Sequence, residues 1–342
     1  MQIAVVASPV TPLRPAQAGG AQSMVSDLAV GLARRGHHVR LHCAAGSIVP
    51  GVELVTVPTP LDAAAALVMP GGAPPPPAPG VSAAIDAMFE AIAAADVDVV
   101  SQHAFDAAAF RQTHALPILH TLHLPPLVPA VLEAVRGVPD SSLATVSESC
   151  SRSWRAHGVR VARVLPNGVV HLELERVPTD RSALIAGRIS PEKGIDHAVA
   201  AARVAGLAAW IAGARYDPAY RIDLNGAREL GELSRAELRR VMARSAVTVC
   251  AARWDEPFGL VAAEAQMAGC PVAAYARGGL PEVIEEGVSG FLSAPDDVTG
   301  LAKAITKCLA LDRASVASSA RRRLGLEAAL DRYERALHEV AV

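Results

Sequence analysis

Residues 254–271 read Trp254-Asp255-Glu256-Pro257-Phe258-Gly259-Leu260-Val261-Ala262-Ala263-Glu264-Ala265-Gln266-Met267-Ala268-Gly269-Cys270-Pro271. The stretch follows an apolar strand, Ala246-Val247-Thr248-Val249-Cys250, and sets an acid just before a Phe-Gly turn. A short Ala-rich helix then runs to Gly269, and Pro271 blocks its continuation. N–H groups at such a helix start point outward without partners and favour an anion. Glu256, the N–H groups from Phe258 to Val261 and Glu264 therefore form a candidate cradle for a sugar phosphate. An ordinary surface loop before a helix, with both acids solvated, fits the same residues, so the rest of the chain has to decide.

With 342 residues the chain is long enough for two domains with cores of their own. Hydrophobic residues make up 51%, charged residues 19%, and mean hydropathy is +0.28, which excludes a disordered chain. A net charge of −2 and a pI near 6.6 give no general electrostatic reason to bind nucleic acid. The basic residues are arginines apart from Lys193, Lys303 and Lys307, so a lysine at a meaningful position stands out. The five cysteines (Cys43, Cys150, Cys250, Cys270, Cys308) are widely spaced without a CxxC pair, which predicts reduced, buried thiols and no metal site. The start, Met1-Gln2-Ile3-Ala4-Val5-Val6-Ala7, is strand-like and lacks the basic region and length of a signal peptide. No uncharged apolar run approaches a membrane span. A soluble cytoplasmic protein is expected.

From the N-terminus, a strand at 3–7 leads through a Pro-rich loop to Gly19-Gly20. A helix over about 21–35 follows, with Met24, Leu28 and Leu32 on one face, and Val39-Leu41-Cys43 resumes as a strand. This β-loop-α-β unit carries a glycine pair in its phosphate-facing loop but not the GxGxxG fingerprint of nicotinamide and flavin sites. Further strands are predicted at 52–57, 97–100, 116–122, 143–146 and 161–165, and a helix at 81–94. Residues 70–80 are a polyproline-like exposed insert. Asp96-x-Asp98 resembles a metal-binding pair by letter only. His123 stands just past a strand end, where ligands of open parallel sheets bind; His120 is expected to be packed or paired. A surface histidine without a role is the other reading of His123. Ser147 is a candidate cap for the helix at 149–157.

The domain boundary is placed at the Pro166-Asn167-Gly168-Val169 turn, giving domains 1–165 and 166–321. The second half repeats the alternation, with strands at 183–186, 207–212, 226–232, 246–250 and 271–275 and a helix at 195–204. Ser234 with Glu237 reads as a capping box opening another helix. One long helix, about 316–341, closes the chain, and its last part, about 322–342, is expected to pack back on the first domain.

Seven segments occur in one order: Gly19-Gly20-Ala21, Gly36-His37-His38-Val39, Val146-Ser147-Glu148-Ser149, Pro166-Asn167-Gly168-Val169, Gly187-Arg188-x4-Lys193-Gly194, Glu256-Pro257-Phe258-Gly259-x4-Glu264 and Gly278-Gly279-Leu280-Pro281-Glu282-Val283. Together they resemble the family-four retaining glycosyltransferases of the GT-B fold, two Rossmann-like domains facing across a cleft. The small size and the Pro insert look like the antibiotic-pathway members. The resemblance implies that Arg188 and Lys193 hold the donor diphosphate beside Gly187. It implies that Glu264 accepts both ribose hydroxyls and that Glu256 holds a sugar hydroxyl. The N–H groups of Phe258, Gly259, Leu260 and Val261 then contact sugar and phosphate oxygens. The loop around Gly231 and Leu233 receives the base through its main chain, Gly19 and Gly20 let the backbone pass close to the diphosphate, and His123 lies on the acceptor side near the donor sugar.

Two segments depart from the family pattern: Val169-Val170 stands where relatives carry an acid, and Ala214-Arg215-Tyr216-Asp217-Pro218 replaces a glycine-rich turn. The implied reaction moves a sugar from a nucleotide sugar, uridine being the base many relatives use, to a hydroxyl of a small soluble acceptor such as an antibiotic oligosaccharide. It retains the anomeric configuration and needs no obligatory metal or other cofactor. Alternatives of the same architecture are a nucleotide-sugar epimerase, a phosphorylase and a membrane-associated lipid glycosyltransferase. The last needs a basic amphipathic surface, and only the scattered Arg34, Arg35, Arg152 and Arg155 offer one.

Overall fold

The computed structural model describes residues 1–14, 20–66, 75–112, 115–173, 178–215, 220–224 and 226–342. They form two compact units, Met1–Asn167 with Ala329–Val342, and Gly168–Ala328.

In the first unit the strands are β1 (Gln2–Val6), β2 (His38–Ala44), β3 (Glu53–Val57), β4 (Val99–Gln102), β5 (Ile118–Leu122), β6 (Leu143–Thr145) and β7 (Arg163–Val164). They form a parallel sheet in the order β3-β2-β1-β4-β5-β6-β7. The central strands are buried along their length without alternation, as in parallel sheets covered by helices on both faces, although β4 and β5 also bury Ser101, Gln102, His120 and Thr121. Among the described residues, the α-helices that alternate with these strands are α1 (Gly20–Arg34), α2 (Pro79–Ala93), α3 (Ala107–Phe110), α4 (Pro129–Val135) and α5 (Glu148–Ala156). Helix α1 buries Met24, Leu28 and Leu32, the face its periodicity marks. Ser147 caps α5 by accepting the N–H of Cys150 at 3.0 Å.

The second unit holds β8 (Asp180–Ala186), β9 (Ala208–Ala212), β10 (Arg228–Gly231), β11 (Ser245–Cys250), β12 (Val272–Tyr275) and β13 (Gly290–Ser293). These strands are again parallel, ordered β10-β9-β8-β11-β12-β13. Its helices are α6 (Ile195–Val204), α7 (Arg235–Arg244), α8 (Leu260–Met267), α9 (Leu280–Val283), α10 (Val298–Cys308) and α11 (Arg313–Leu324). Ile185, Ile211, Val249 and Tyr275 of the sheet meet Ile195, Val199, Leu301 and Ile305 in its core. Each fully buried aliphatic side chain of this kind contributes roughly 1.5–3 kcal/mol. The sequence reading passed over β13 and α10.

Both sheets are therefore Rossmann-like and doubly wound, and in each the strand order reverses beside its first strand, between β1 and β4 and between β8 and β11. Loops leaving the carboxyl ends of strands at such a point part to leave a crevice, the usual ligand site of these sheets.

The single closing helix is corrected to two, α11 and α12 (Leu326–Ala341), broken at Gly325. Gly325 takes an extended backbone and bridges to Val169, whose N–H donates to Leu324 O at 2.8 Å and whose carbonyl accepts from Leu326 N at 3.1 Å. Helical periodicity runs through the break because α12 restarts at once. From Ala329 onward α12 belongs to the first unit, where it buries Leu330, Tyr333 and Leu337. A Cβ on Gly31 would lie 2.7 Å from the Leu330 methyl groups, so any larger residue there makes the Leu330 side chain shift. Arg35 also bonds Asp331 at 2.8 Å and Glu334 at 2.6 Å. Among the described residues, no helix is long and apolar enough to cross a membrane.

Candidate active site

At the carboxyl end of β8 the chain turns through Gly187, whose N–H reaches Ala212 O at 2.9 Å; Gly213 turns at the end of β9 and reaches Gly231 O at 2.9 Å. Gly187 and Gly213 have φ of 130° and 155°. A Cβ on Gly213 would overlap the carbonyl oxygen of Gly187, so the two strand ends approach this closely only without side chains. Gly213→Ala is expected to destabilise the chain by about 3–5 kcal/mol from overlap and backbone strain. Thermal unfolding should show a drop of roughly 6–15 °C; a loss under about 2 °C would mean the strand ends move apart freely.

Beyond Gly187, Pro191–Lys193 form a single 3₁₀ turn that ends at Gly194, which has φ of 59° and abuts Ala251 O. The turn aims Lys193 at the loop leaving β11. Its Nζ lies 2.7 Å from Glu256 Oε2 and 5.6 Å from the centre of the Trp254 ring, and Trp254 Nε1 donates to the same oxygen at 3.0 Å. Lys193 and Glu256 remain about one-fifth exposed, at 20% and 18%, so solvent and ligand reach them. Arg188 pairs with Glu192 at 3.3 Å, and Ser190 Oγ donates to the same Glu192 oxygen at 2.6 Å.

The Glu256–Gly259 loop is held from behind by Gly278-Gly279. Gly279 N donates to Glu256 O at 2.7 Å, and a Cβ on Gly278 would overlap the Glu256 backbone. Gly259 is the left-handed cap of α8, with φ of 99°, and a Cβ on it would lie 2.8 Å from Leu280. Phe258 is buried. The first intrahelical bond of α8 runs from Ala263 N to Gly259 O at 3.1 Å, so by position the N–H groups of Leu260 and Val261 precede the ladder.

Glu264, on the second turn of α8, is buried among arginines that the sequence reading missed. Its Oε1 accepts from Arg235 Nε at 3.1 Å and Arg239 Nη2 at 3.2 Å, and Arg239 also donates to Val170 O at 2.7 Å. The spacing of Arg235 and Arg239, four apart behind the Ser234 cap, was the available signal that both share one helix face. Gly231 ends β10 with φ of 72°, and Leu233 is half-buried just before the Ser234–Glu237 capping box. Lys193 and Glu256 thus meet directly, whereas Glu264 belongs to a separate cluster.

In the first unit, the expected open position of His123 is corrected. It is 7% exposed, and its Nε2 lies 2.9 Å from His103 Nδ1, while His103 Nε2 lies 2.9 Å from Ser101 Oγ. Burial pushes the His123 pKa down to about 4 and that of His120 to about 3; His120 bonds Gln102 at 3.2 Å. His103 is held well below the usual range by burial and by His123. At neutral pH His123 is therefore an uncharged hydrogen-bonding group. His103 was not singled out from sequence because its partner lies 20 residues away. Asp106, beside Ser8 Oγ at 3.4 Å, is pushed up to about 6 by burial.

Gly20 opens α1 with φ of 82°, and Gly19 lies outside the described residues, as do Tyr216, Asp217 and Pro218. Asp98 accepts the N–H of Gln2 at 2.7 Å, a structural bond between β1 and the start of β4. Among the described residues, no group of three or more His, Cys, Asp or Glu side chains is placed to hold a metal ion.

Two family models match the chain, Glycosyltransferase Family 4 over residues 18–171 and Glycosyl transferases group 1 over residues 173–328. A glycogen synthase of Mycobacterium tuberculosis is 36% identical over 138 residues, covering 37% of this chain and 33% of that protein. A D-inositol 3-phosphate glycosyltransferase of Mycolicibacterium smegmatis is 36% identical over 188 residues, covering 48% and 42%. The chain thus spans about a third to two-fifths of the length of these relatives. Among solved structures, AviGT4, a glycosyltransferase involved in avilamycin A biosynthesis, superposes with a TM-score of 0.75 at 21% identity, covering 99% of this chain and 98% of its own. HepE of Anabaena in complex with UDP-glucose gives 0.72 at 19% identity, covering 99% and 100%. With one glycosyltransferase family model over each Rossmann-like domain and this fold throughout, the chain belongs to the GT-B glycosyltransferases.

Proposed function

We propose that the protein transfers a sugar from a nucleotide sugar, UDP-linked, to a hydroxyl of a small soluble acceptor, with retention at the anomeric carbon. The carrying observation is the Lys193–Glu256–Trp254 contact at the strand-order reversal of the second sheet, next to the start of α8. A departing nucleoside diphosphate concentrates negative charge, and a fixed cation with helix N–H groups stabilises it as it develops. Lys193 and Arg188 supply the cations, and the N–H groups from Phe258 to Val261 bind sugar and phosphate oxygens. Glu256, shared between Lys193 and Trp254, keeps acceptor capacity for a sugar hydroxyl. Glu264 takes the ribose, Gly231 and Leu233 line the base, and Gly187 admits the diphosphate.

In a retaining transfer of this kind the acceptor attacks on the face the diphosphate leaves, and the leaving phosphate takes the acceptor proton. His123, uncharged at neutral pH, is assigned to the acceptor side by the family resemblance alone. The chemistry requires no metal once these cations are in place. UDP is favoured because HepE binds UDP and UDP-glucose. An antibiotic oligosaccharide as acceptor is favoured by the likeness to AviGT4. A cytoplasmic location accords with five free cysteines.

A thermal-shift panel of UDP, GDP, ADP and their glucose conjugates tests the donor. The correct nucleotide at 100 times its Kd should add about 2.7 kcal/mol of stability. No shift with any nucleotide overturns the donor assignment. Product anomeric configuration by NMR tests retention, and activity lost to a chelator and restored by Mg²⁺ contradicts the metal-free chemistry.

A further inference from the structure

The two carboxylate oxygens of Glu264 are treated unequally. The residue is 1% exposed, and both Arg235 Nε and Arg239 Nη2 donate to Oε1, while Oε2 is buried without a hydrogen-bond partner among the described residues. Two guanidinium groups lie against this one buried carboxylate, and pairing matters there because an uncompensated buried charge is far more costly than a paired one. Concentrating both donors on one oxygen leaves the acceptor capacity of the other unspent. Buried acceptors in native proteins almost always have a donor, so Oε2 is open to a donor from outside the chain, and its place beside the start of α8 makes a ligand hydroxyl the donor to test.

The clamp is itself rigid. Arg235 and Arg239 share a face of α7, whose start is fixed by the Ser234–Glu237 capping box. Arg239, 2% exposed, is tied on its other side to Val170 O at 2.7 Å. The carboxylate therefore cannot swing to present Oε1, and Oε2 is the oxygen left for a hydroxyl pair.

We infer that Arg235 and Arg239 are positioning residues that lock Glu264 through Oε1 so that Oε2 selects a ribonucleotide over a deoxyribonucleotide donor. The inference rests on the proposed role of Glu264 as the ribose ligand. A ligand lacking the 2′- or 3′-hydroxyl leaves Oε2 unsatisfied, so the penalty falls on the analogue and not on the diphosphate contacts.

The test is calorimetric binding of UDP, 2′-deoxy-UDP and 3′-deoxy-UDP to the full chain and to Arg235→Gln and Arg235→Lys, with melting temperatures alongside. Arg235 is chosen because Arg239 is deeper in the core and its loss threatens folding. Wild type should prefer UDP by roughly 10- to 100-fold, the worth of a hydrogen bond to a charged group. Arg235→Gln should lose most of that preference through weaker UDP binding with deoxy-UDP binding unchanged, and Arg235→Lys should restore part of it. If Arg235→Gln keeps the full preference, the inference is overturned and the arginines are purely structural, while the ribose role of Glu264 survives. If wild type binds UDP and its deoxy analogues equally, the ribose role itself fails. If wild type binds none of the three, the UDP donor assignment fails with it.

Discussion

Replacing Lys193 with alanine is expected to lower kcat for sugar transfer by roughly 10²- to 10³-fold, the scale of losing one preorganised group that stabilises developing negative charge. The fold should survive. Lys193 and Glu256 are partly exposed, and an ion pair in that setting contributes about 1 kcal/mol or less. Trp254 Nε1 still donates to Glu256 in the variant. Loss of activity with a melting temperature within about 4 °C of wild type would therefore separate chemistry from stability. Steady-state kinetics with a UDP-sugar and circular dichroism melting measure the two. Turnover within about threefold of wild type would remove Lys193 from the diphosphate site.

Lowering the pH from 7 to 5 should destabilise the first unit steeply, and the cause is its buried histidines. Burial holds His42 at about 4, His123 at about 4, His120 at about 3, and His103 well below its ordinary value of 6.5. An unfolded chain protonates these groups below 6.5 while the folded one does not, so unfolding takes up protons and stability falls as pH falls through that window. The stabilisation is fully present above 6.5 and is lost progressively toward the folded values near 4 and 3. Each histidine contributes a slope of about 1.4 kcal/mol per pH unit. Asp106 acts in the opposite sense. Its folded value, raised to about 6 from 3.8, favours the folded state below 3.8 and loses that effect as pH rises through 6. One acid against four histidines leaves a net slope of roughly 4 kcal/mol per pH unit near pH 5.5. Urea unfolding between pH 7 and 5 measures it; stability that is flat over that range would show that these histidines protonate within the folded state.

The alternation of strands and helices was legible because its cause is local. Buried parallel strands are short apolar runs such as Ile3–Val6, amphipathic helices repeat Met24, Leu28 and Leu32, and Ser147 and Ser234 announce helix starts by side-chain chemistry. The glycines at 187, 259 and 278 were legible for the same reason, since positive φ at each can be met cheaply only by glycine. The break at Gly325 was not legible, because what ends α11 there is a bridge to Val169, far away in sequence. His123 was found at its strand end, but its burial and its bond to His103 depend on how β4 and β5 pack.

By itself, the sequence determined two doubly wound domains, the order of their strand-end loops, and the residue types offered to a phosphate and a sugar. Periodicity, capping and backbone freedom act within a few residues, so they are written in consecutive letters. Only the tertiary structure decided that Lys193 meets Glu256 across 63 residues and that Glu264 is held through one oxygen by Arg235 and Arg239. Those pairings follow from which strands lie side by side at the reversal of the sheet, β8 beside β11, and from the helix that packs over them. The Trp254–Pro271 stretch shows the division plainly. Its turn and helix are local, whereas the different tasks of its two acids come from the neighbours that folding brings to them.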